Sequence, residues 1–155
     1  CLRLMAEAGA DMLSNGDSPA GPDVVSPDLY RRFAQPWETR IAAVAHGLGK
    51  PYLLHICGNT NRILDDMAAT GADALELDYK TDARTAFQRR ATFVGNIDPS
   101  GVLCLGTPAL VEQKTRELLA VFAGEPRFIL NAGCAIPSTT PPENLRAMLR
   151  AARSS

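Results

Sequence analysis

The sequence predicts an α/β protein built on a parallel sheet. Short apolar runs alternate with longer amphipathic stretches along the chain, and each of five predicted strands is followed by a predicted helix. A helix between two strands returns the chain to the same end of the sheet, so the strands pair in parallel. With 155 residues, 46% of them hydrophobic and 21% charged, the chain is long enough for one hydrophobic core.

The first predicted elements are a helix, a strand and a second, longer helix. Leu2 and Met5 lie at helical spacing with no cap before them, as expected of a chain that starts within a longer protein. This helix ends near Gly9, and a strand follows at residues 10–14. After a loop, Ser26 and Pro27 have the form of an N-cap and first-turn proline, which predicts a helix over 27–48.

The remaining elements continue the same alternation. Gly49 can end the long helix. The four later strands are predicted at residues 52–57, 74–78, 92–97 and 127–131. The helices that follow them are predicted at 61–70, 82–90, 108–123 and 142–152.

Composition excludes several classes of function. A net charge of -1 gives no basic field that would attract nucleic acid or an anionic membrane surface. No apolar run reaches the roughly 18 residues that a membrane span needs, and the first residues show no targeting pattern, so we expect a cytoplasmic protein. Four cysteines are too few for a disulfide framework, which favours free thiols or metal ligands.

Polar side chains follow every predicted strand. In parallel α/β folds, ligands bind beyond the carboxyl ends of the strands, so these positions are candidates for a functional site. Any single one is commonly structural, because strands emerge into solvent there. The candidates for substrate binding are Asp17, Asn59, Asp78, Asn96 and Asp98.

His55 and Cys57 form the strongest chemical motif. They stand two residues apart on a predicted strand, so their side chains project from the same face. Zinc accepts imidazole and thiolate ligands, and a catalytic zinc keeps three protein ligands and one open position. Cys134, just beyond the last strand, is the candidate third ligand. The alternative is that both cysteines are ordinary buried thiols and His55 is a core histidine.

Two other patterns are interpreted as core packing. Phe33, Trp37 and Ile41 form a stripe at helical spacing, which is typical of the buried face of a helix. Cys104 lies in the apolar run 102–105 and is expected to be a small core residue.

Several segments of the chain resemble the uroporphyrinogen decarboxylase superfamily, especially its cobalamin-dependent methyltransferase branch. The resemblance is carried, in order, by DSPAGPDVVSPDLYRRFAQPW, HICGNTNRILDDMAATGADALELDYKTD, VGNIDPSGVLCLGTP and FILNAGCAIPSTTPPENLRAM. It implies a TIM-type (β/α)8 barrel of which the five strands here are the last five. The amino-terminal part of the barrel would then have to come from a missing segment or an oligomeric partner.

The same resemblance implies a function. In the methyltransferase branch, a His-x-Cys pair and a later cysteine hold zinc, which matches His55, Cys57 and Cys134. The methyl group comes from a corrinoid, free or carried by a partner protein, and goes to a thiol such as coenzyme M. The decarboxylase branch lacks the His-x-Cys pair and usually carries Gly-His-Gly near the position of Cys134.

Two alternatives remain open from the sequence. The first is porphyrinogen decarboxylation without metal, in which Asp17 or Asp78 would bind pyrrole N–H groups. The second is a non-catalytic barrel fragment, or a subunit that only docks a corrinoid protein. Metal content separates the first alternative from methyl transfer.

Overall fold

A computed structural model of the chain describes residues 1–87 and 91–154. Five strands form one sheet in the order β1-β2-β3-β4-β5, and every neighbouring pair is parallel. The strands are β1 (Leu13–Gly16), β2 (Tyr52–Ile56), β3 (Ala74–Leu77), β4 (Thr92–Ile97) and β5 (Phe128–Ala132). The predicted α/β fold with adjacent parallel strands is confirmed, and all five carboxyl ends lie at one edge.

Helices connect consecutive strands. The α-helices are α1 (Leu2–Glu7), α2 (Pro27–Leu29), α3 (Gln35–Gly47), α4 (Leu64–Ala69), α5 (Ala83–Phe87), α6 (Pro108–Val121) and α7 (Pro142–Arg153). A 3₁₀ turn covers Ser18–Ala20, and π-helical turns cover Tyr30–Ala34 and Pro99–Cys104. The end of the helix predicted at 82–90 lies outside the described residues. No helix among those described is long and apolar enough to cross a membrane.

The first predicted strand was placed too early. The Ala10 N–H donates to the carbonyl of Met5, so residues just after α1 complete its carboxyl end rather than join the sheet. Pairing begins at Leu13, whose N–H donates to the carbonyl of Pro51. The strand therefore begins three residues and ends two residues later than the sequence predicted, whereas β4 has the predicted bounds.

The sheet separates two apolar clusters. Leu54, Ile56 and Leu75 lie on the face covered by helices, within the main core. Leu53, Ala74 and Val94 form a small second cluster on the opposite face. Because side chains alternate along a strand, His55 shares this second face with Leu53. The candidate site is therefore on the face that helices do not cover.

Three stacked rings fasten α6 to the sheet. The ring centroid of Phe93 lies 4.7 Å from that of Phe122 and 5.7 Å from that of Phe128. Phe122 and Phe128 stack at 4.2 Å with an interplanar angle of 2°. Such pairs contribute about 0.5–1.5 kcal/mol each beyond their buried area. They hold β4 and β5 together at the amino-terminal ends of these strands, opposite the end that carries the candidate site.

Two of the three residues of the predicted aromatic stripe on the long helix are not core. Phe33 is 58% exposed and Trp37 is 61% exposed, whereas Ile41 is partly buried and packs against the main core. The buried positions of α3 are Glu38, Ala42 and Ala45. Glu38 and Ala42 each lie one residue after a stripe position, so the buried face is rotated by about 100° from the predicted one. The interpretation as core packing was therefore wrong for Phe33 and Trp37.

Cys104 is also not the core residue that its apolar surroundings predicted. It ends the π-helical turn after β4 and is only half-buried. Its Sγ lies 3.4 Å from the hydroxyl of Thr139. A tight turn beyond the strand, rather than a strand or long helix, carries the apolar run and leaves this thiol at the periphery.

Candidate metal centre

Three side chains converge beyond the carboxyl ends of β2 and β5. His55 Nε2 lies 3.1 Å from Cys57 Sγ, which lies 3.3 Å from Cys134 Sγ. The third side of this triangle, from Cys134 Sγ to His55 Nε2, is 3.9 Å. All three residues are half-buried. The structure thus brings the three predicted donors to one point.

Two glycines allow this convergence by close backbone approach. A Cβ added at Gly21 would lie 2.8 Å from the carbonyl oxygen of Cys57, so only glycine lets the loop after β1 pass the end of β2. A Cβ added at Gly133 would lie 2.4 Å from the backbone nitrogen of Tyr79. That close contact brings the loop after β5, and Cys134 with it, towards β3 and β2.

The spacing of the donors fits a zinc ion. Zinc binds thiolate sulfur at about 2.3 Å and imidazole nitrogen at about 2.0 Å, so tetrahedral ligands stand about 3.5–3.8 Å apart. The observed separations of 3.1, 3.3 and 3.9 Å lie around that range. One imidazole and two sulfur donors also suit zinc rather than magnesium or calcium, which prefer oxygen ligands.

The second ring nitrogen of His55 faces β3. Nδ1 lies 3.0 Å from the backbone carbonyl oxygen of Glu76 and 3.4 Å from its carboxylate Oε2. Asn131 on β5 donates from Nδ2 to Glu76 Oε1 at 2.7 Å. Sequence reasoning did not select Glu76. The available signal was a charged residue inside the apolar strand 74–77. Its position beside His55 follows from the strand register in the structure.

The two thiols lie within hydrogen-bonding distance of each other, with a sulfur–sulfur separation of 3.3 Å. Burial raises the pKa of Cys134 above the usual range of a thiol, and the hydrogen bond with Cys57 raises it further. The Cys134 thiol therefore stays protonated near neutral pH until a cation compensates the thiolate charge. Metal binding at such a pair releases protons.

Asp78 and Asn96 fix the loops around the three donors. Asp78 is 6% exposed, and its carboxylate accepts from the N–H of Gly58 at 2.8 Å and of Lys80 at 3.0 Å. Asn96 donates from Nδ2 to the carbonyls of Asp78 and Thr81, at 3.1 and 2.8 Å. Both residues lie at the carboxyl ends of the strands, as predicted. These side-chain hydrogen bonds are all made with backbone groups of the surrounding loops.

The other three predicted substrate-binding residues make local hydrogen bonds or line a different cavity. Asp98 caps the π-helical turn after β4, accepting from the N–H groups of Ser100 and Gly101, each at 2.9 Å. Asn59 accepts from the N–H of Asn61 at 3.1 Å. Asp17 is half-buried and lines a cavity between the loop after β1 and the long helix. None of the three belongs to the donor triangle.

A buried carboxylate behind β1 and β2 was missed from the sequence. Glu38 is 1% exposed and accepts a hydrogen bond from the hydroxyl of Tyr30. Burial raises the pKa of Glu38 to about 7; the Tyr30 bond opposes this rise, and the charge of Asp17 adds to it. Nothing in the sequence marks this glutamate as buried, because the adjacent Trp37 is the apolar candidate for an inward position.

Fold and side chains together define a class of protein: a parallel α/β protein with a candidate imidazole–thiolate metal site at the carboxyl ends of its strands. The family model described as "Uroporphyrinogen decarboxylase (URO-D)" matches residues 1–155. The chain therefore belongs to the uroporphyrinogen decarboxylase family.

Relatives of two kinds are found within this family. The chain is 36% identical over 154 residues to the methylcobamide:CoM methyltransferase MtbA of Methanosarcina mazei, covering 98% of the chain and 44% of that relative. It is 35% identical over 146 residues to the uroporphyrinogen decarboxylase of Syntrophotalea carbinolica, covering 92% and 41%. The chain thus spans less than half the length of these relatives.

A solved structure supports the same assignment of the fold. The chain is similar to a methyltransferase from Methanosarcina mazei with a TM-score of 0.88 and 32% sequence identity. The match covers 99% of this chain and 44% of that one. Five parallel βα units over that share of the longer protein are a partial TIM-type barrel, as the resemblance implied.

Proposed function

We propose that this chain forms the zinc-binding part of a methyltransferase, which moves a methyl group between a corrinoid and a thiol. The observation that carries the proposal is the triangle of His55 Nε2, Cys57 Sγ and Cys134 Sγ, with sides of 3.1, 3.3 and 3.9 Å. Similarity to methylcobamide:CoM methyltransferases supports the reaction class.

The residues of the chain have separate tasks in this proposal. His55, Cys57 and Cys134 would hold the zinc ion, and the fourth position would take the substrate thiol. Bound zinc would lower the pKa of a thiol at that position, so that the thiol reacts as a thiolate near neutral pH. Asp78 would keep the loop after β2 in place through its bond to the N–H of Gly58.

The partners follow from this chemistry. The thiol loses its proton and attacks the methyl carbon, the carbon–cobalt bond breaks, and the electron pair of that bond stays on cobalt. The corrinoid therefore carries the difficult part of the reaction, and the protein supplies binding and orientation. A small thiol and a corrinoid, free or carried by a protein, are the proposed partners. A cytoplasmic location and completion of the barrel by further polypeptide remain part of the proposal.

Decarboxylation of a porphyrinogen is the second candidate, because decarboxylases are also similar to this chain. In that reaction Asp17 or Asp78 would bind pyrrole N–H groups. Both oxygens of Asp78 already accept backbone hydrogen bonds, and Asp17 lines a cavity whose walls include none of the three donors. These contacts favour the zinc-dependent reaction.

Metal analysis of the purified chain tests the proposal. We expect about one zinc per chain, removable by a strong chelator and restored on adding zinc. Loss of methylcobalamin absorbance with coenzyme M as acceptor then tests the reaction. A chain that binds no zinc contradicts the metal site. A chain that binds zinc but transfers no methyl group, even when joined to the rest of a relative's barrel, contradicts the reaction alone.

A further inference from the structure

We infer that Glu76 is a positioning residue for the metal site, which orients His55 as a ligand and selects the tautomer that can bind metal. This inference rests on the proposed zinc site and extends it to a residue outside the donor triangle. Glu76 acts from the side of the imidazole opposite the two thiols, and Asn131 in turn fixes its carboxylate.

The contacts of His55 leave the lone pair of its imidazole on Nε2. Nδ1 of His55 faces two acceptors of Glu76, the backbone carbonyl oxygen at 3.0 Å and carboxylate Oε2 at 3.4 Å. An N–H on Nδ1 satisfies both acceptors, and the neutral ring then has its lone pair on Nε2. Nε2 is the atom that lies 3.1 Å from Cys57 Sγ. The contact with Glu76 therefore selects the tautomer that can bind metal within the triangle.

The carboxylate itself is held in place from a third strand. Asn131 on β5 donates to Glu76 Oε1 at 2.7 Å, which leaves Oε2 turned towards His55. The bond crosses β4, because β3 and β5 are both neighbours of that strand. Three strands thus determine the direction of one imidazole ring.

Core packing does not explain Glu76. Its strand neighbours Leu75 and Leu77 are 2% and 1% exposed, and the strand continues into buried Asp78. The side chain of Glu76 is only 25% exposed, and that of His55 is 15% exposed. Partial burial of a carboxylate has a desolvation cost that an apolar residue here would avoid. A hydrogen bond from the N–H of a ligand imidazole offsets part of this cost, and the same contact orients the ring.

The test compares zinc affinity in three variants by competition with a chelator of known affinity. Glu76→Gln keeps the shape and removes the charge, Asn131→Ala releases the carboxylate, and Glu143→Gln alters an exposed glutamate of α7 as the matched control. We expect Glu76→Gln to weaken zinc binding by about 10-fold, Asn131→Ala to weaken it in the same direction, and Glu143→Gln to leave it unchanged.

Two further readouts separate positioning from simple loss of structure. The visible spectrum of the cobalt(II)-substituted protein should change in Glu76→Gln, because the ligand field at the ion changes, whereas thermal unfolding of the metal-free protein should not. Zinc affinity within twofold of wild type in both Glu76→Gln and Asn131→Ala overturns the inference, provided that Cys57→Ser has lost zinc. Wild-type zinc affinity in Cys57→Ser overturns the proposed metal site itself, and the inference with it.

Discussion

The sulfur atoms of Cys57 and Cys134 lie 3.3 Å apart, although 77 residues separate the two cysteines in the sequence. Backbone contacts on both sides maintain this proximity. The N–H of Gly133 donates to the carbonyl of Ile97 at 2.8 Å, and the N–H of Gly58 donates to Asp78 at 2.8 Å. Hydrogen bonds of the loops that carry the two thiols therefore bring them together.

Replacing Cys57 or Cys134 should remove zinc without unfolding the chain. In Cys57→Ser and Cys134→Ser, only two ligands remain, so we expect zinc affinity to fall by more than the roughly 100-fold that loss of a supporting residue can cause. Cys104→Ser is the matched control, because that thiol contacts Thr139 instead. Zinc content and thermal unfolding are measured together. Stoichiometric zinc in either variant would show that the ligand assignment is wrong.

The same pair of thiols should be sensitive to oxidation when metal is absent. One hydrogen peroxide can convert the thiols of Cys57 and Cys134 to a disulfide, with two water molecules formed. We expect peroxide to cross-link this pair in metal-free protein and zinc to protect it, because the separation of 3.3 Å requires only a small movement. Peptide mass mapping with and without zinc measures this. Equal oxidation of Cys104 and of the pair would contradict it.

The sequence predicts the positions of the three donors better than it predicts which residues surround them. Period-two alternation alone places His55 and Cys57 on one face, and parallel pairing places Cys134 at the same rim. The role of Glu76 depends on register, since it faces His55 only because Leu54 pairs with Leu75. Register between strands is set by packing and turns, which no local pattern in this sequence encodes.

The helix before β2 illustrates a second limit. Regular helical spacing predicts that Phe33 and Trp37 are buried, but both are exposed, and Glu38, one residue beyond Trp37, is buried. Apolar content favours the face with residues 33, 37 and 41, whereas packing in the fold buries the adjacent face with residues 38 and 42. A strand has only two faces, so the alternation that places His55 and Cys57 together leaves no such choice.

Asp78 should contribute to stability through its two backbone contacts. Asp78→Asn replaces one accepting oxygen by an amide group, which faces an N–H donor in a site only 6% exposed. We expect the free energy of unfolding to fall by about 1–3 kcal/mol. Urea unfolding of this variant is compared with that of Asp11→Asn, an exposed position. An unchanged midpoint in Asp78→Asn would mean that the carboxylate does not hold these loops.

Glu38 should make the stability of the chain fall as pH rises towards neutrality. Its pKa is raised from 4.5 to about 7 in the folded protein, chiefly by burial, so the native state binds more protons than the unfolded chain between these values. The stabilising contribution of Glu38 is then complete below about pH 4.5, decreases by about 3 kcal/mol as the pH rises to about 7, and changes no further above about pH 8.

The variant Glu38→Gln tests this assignment, because glutamine cannot ionise. Urea unfolding at several pH values between 4.5 and 8 should show a smaller decrease in the variant than in the wild type. Glu143→Gln, on the surface of α7, should keep the wild-type profile. If Glu38→Gln and wild type lose stability in parallel, another group causes the decrease.

The isolated chain should self-associate through its sheet. Among the described residues, β1 and β5 each pair with a strand on one side only, and unpaired strand edges readily join other strands. Ile129 of β5 pairs in register with Val94, on the face without helices, and is 51% exposed. Ile129→Lys should therefore shift sedimentation profiles towards monomer at equal concentration, since a charge on this face opposes burial. Leu149→Lys is the control, because Leu149 is equally exposed, at 50%, but lies on α7. A compact wild-type monomer at all concentrations would contradict the prediction, and so would an equal shift in both variants.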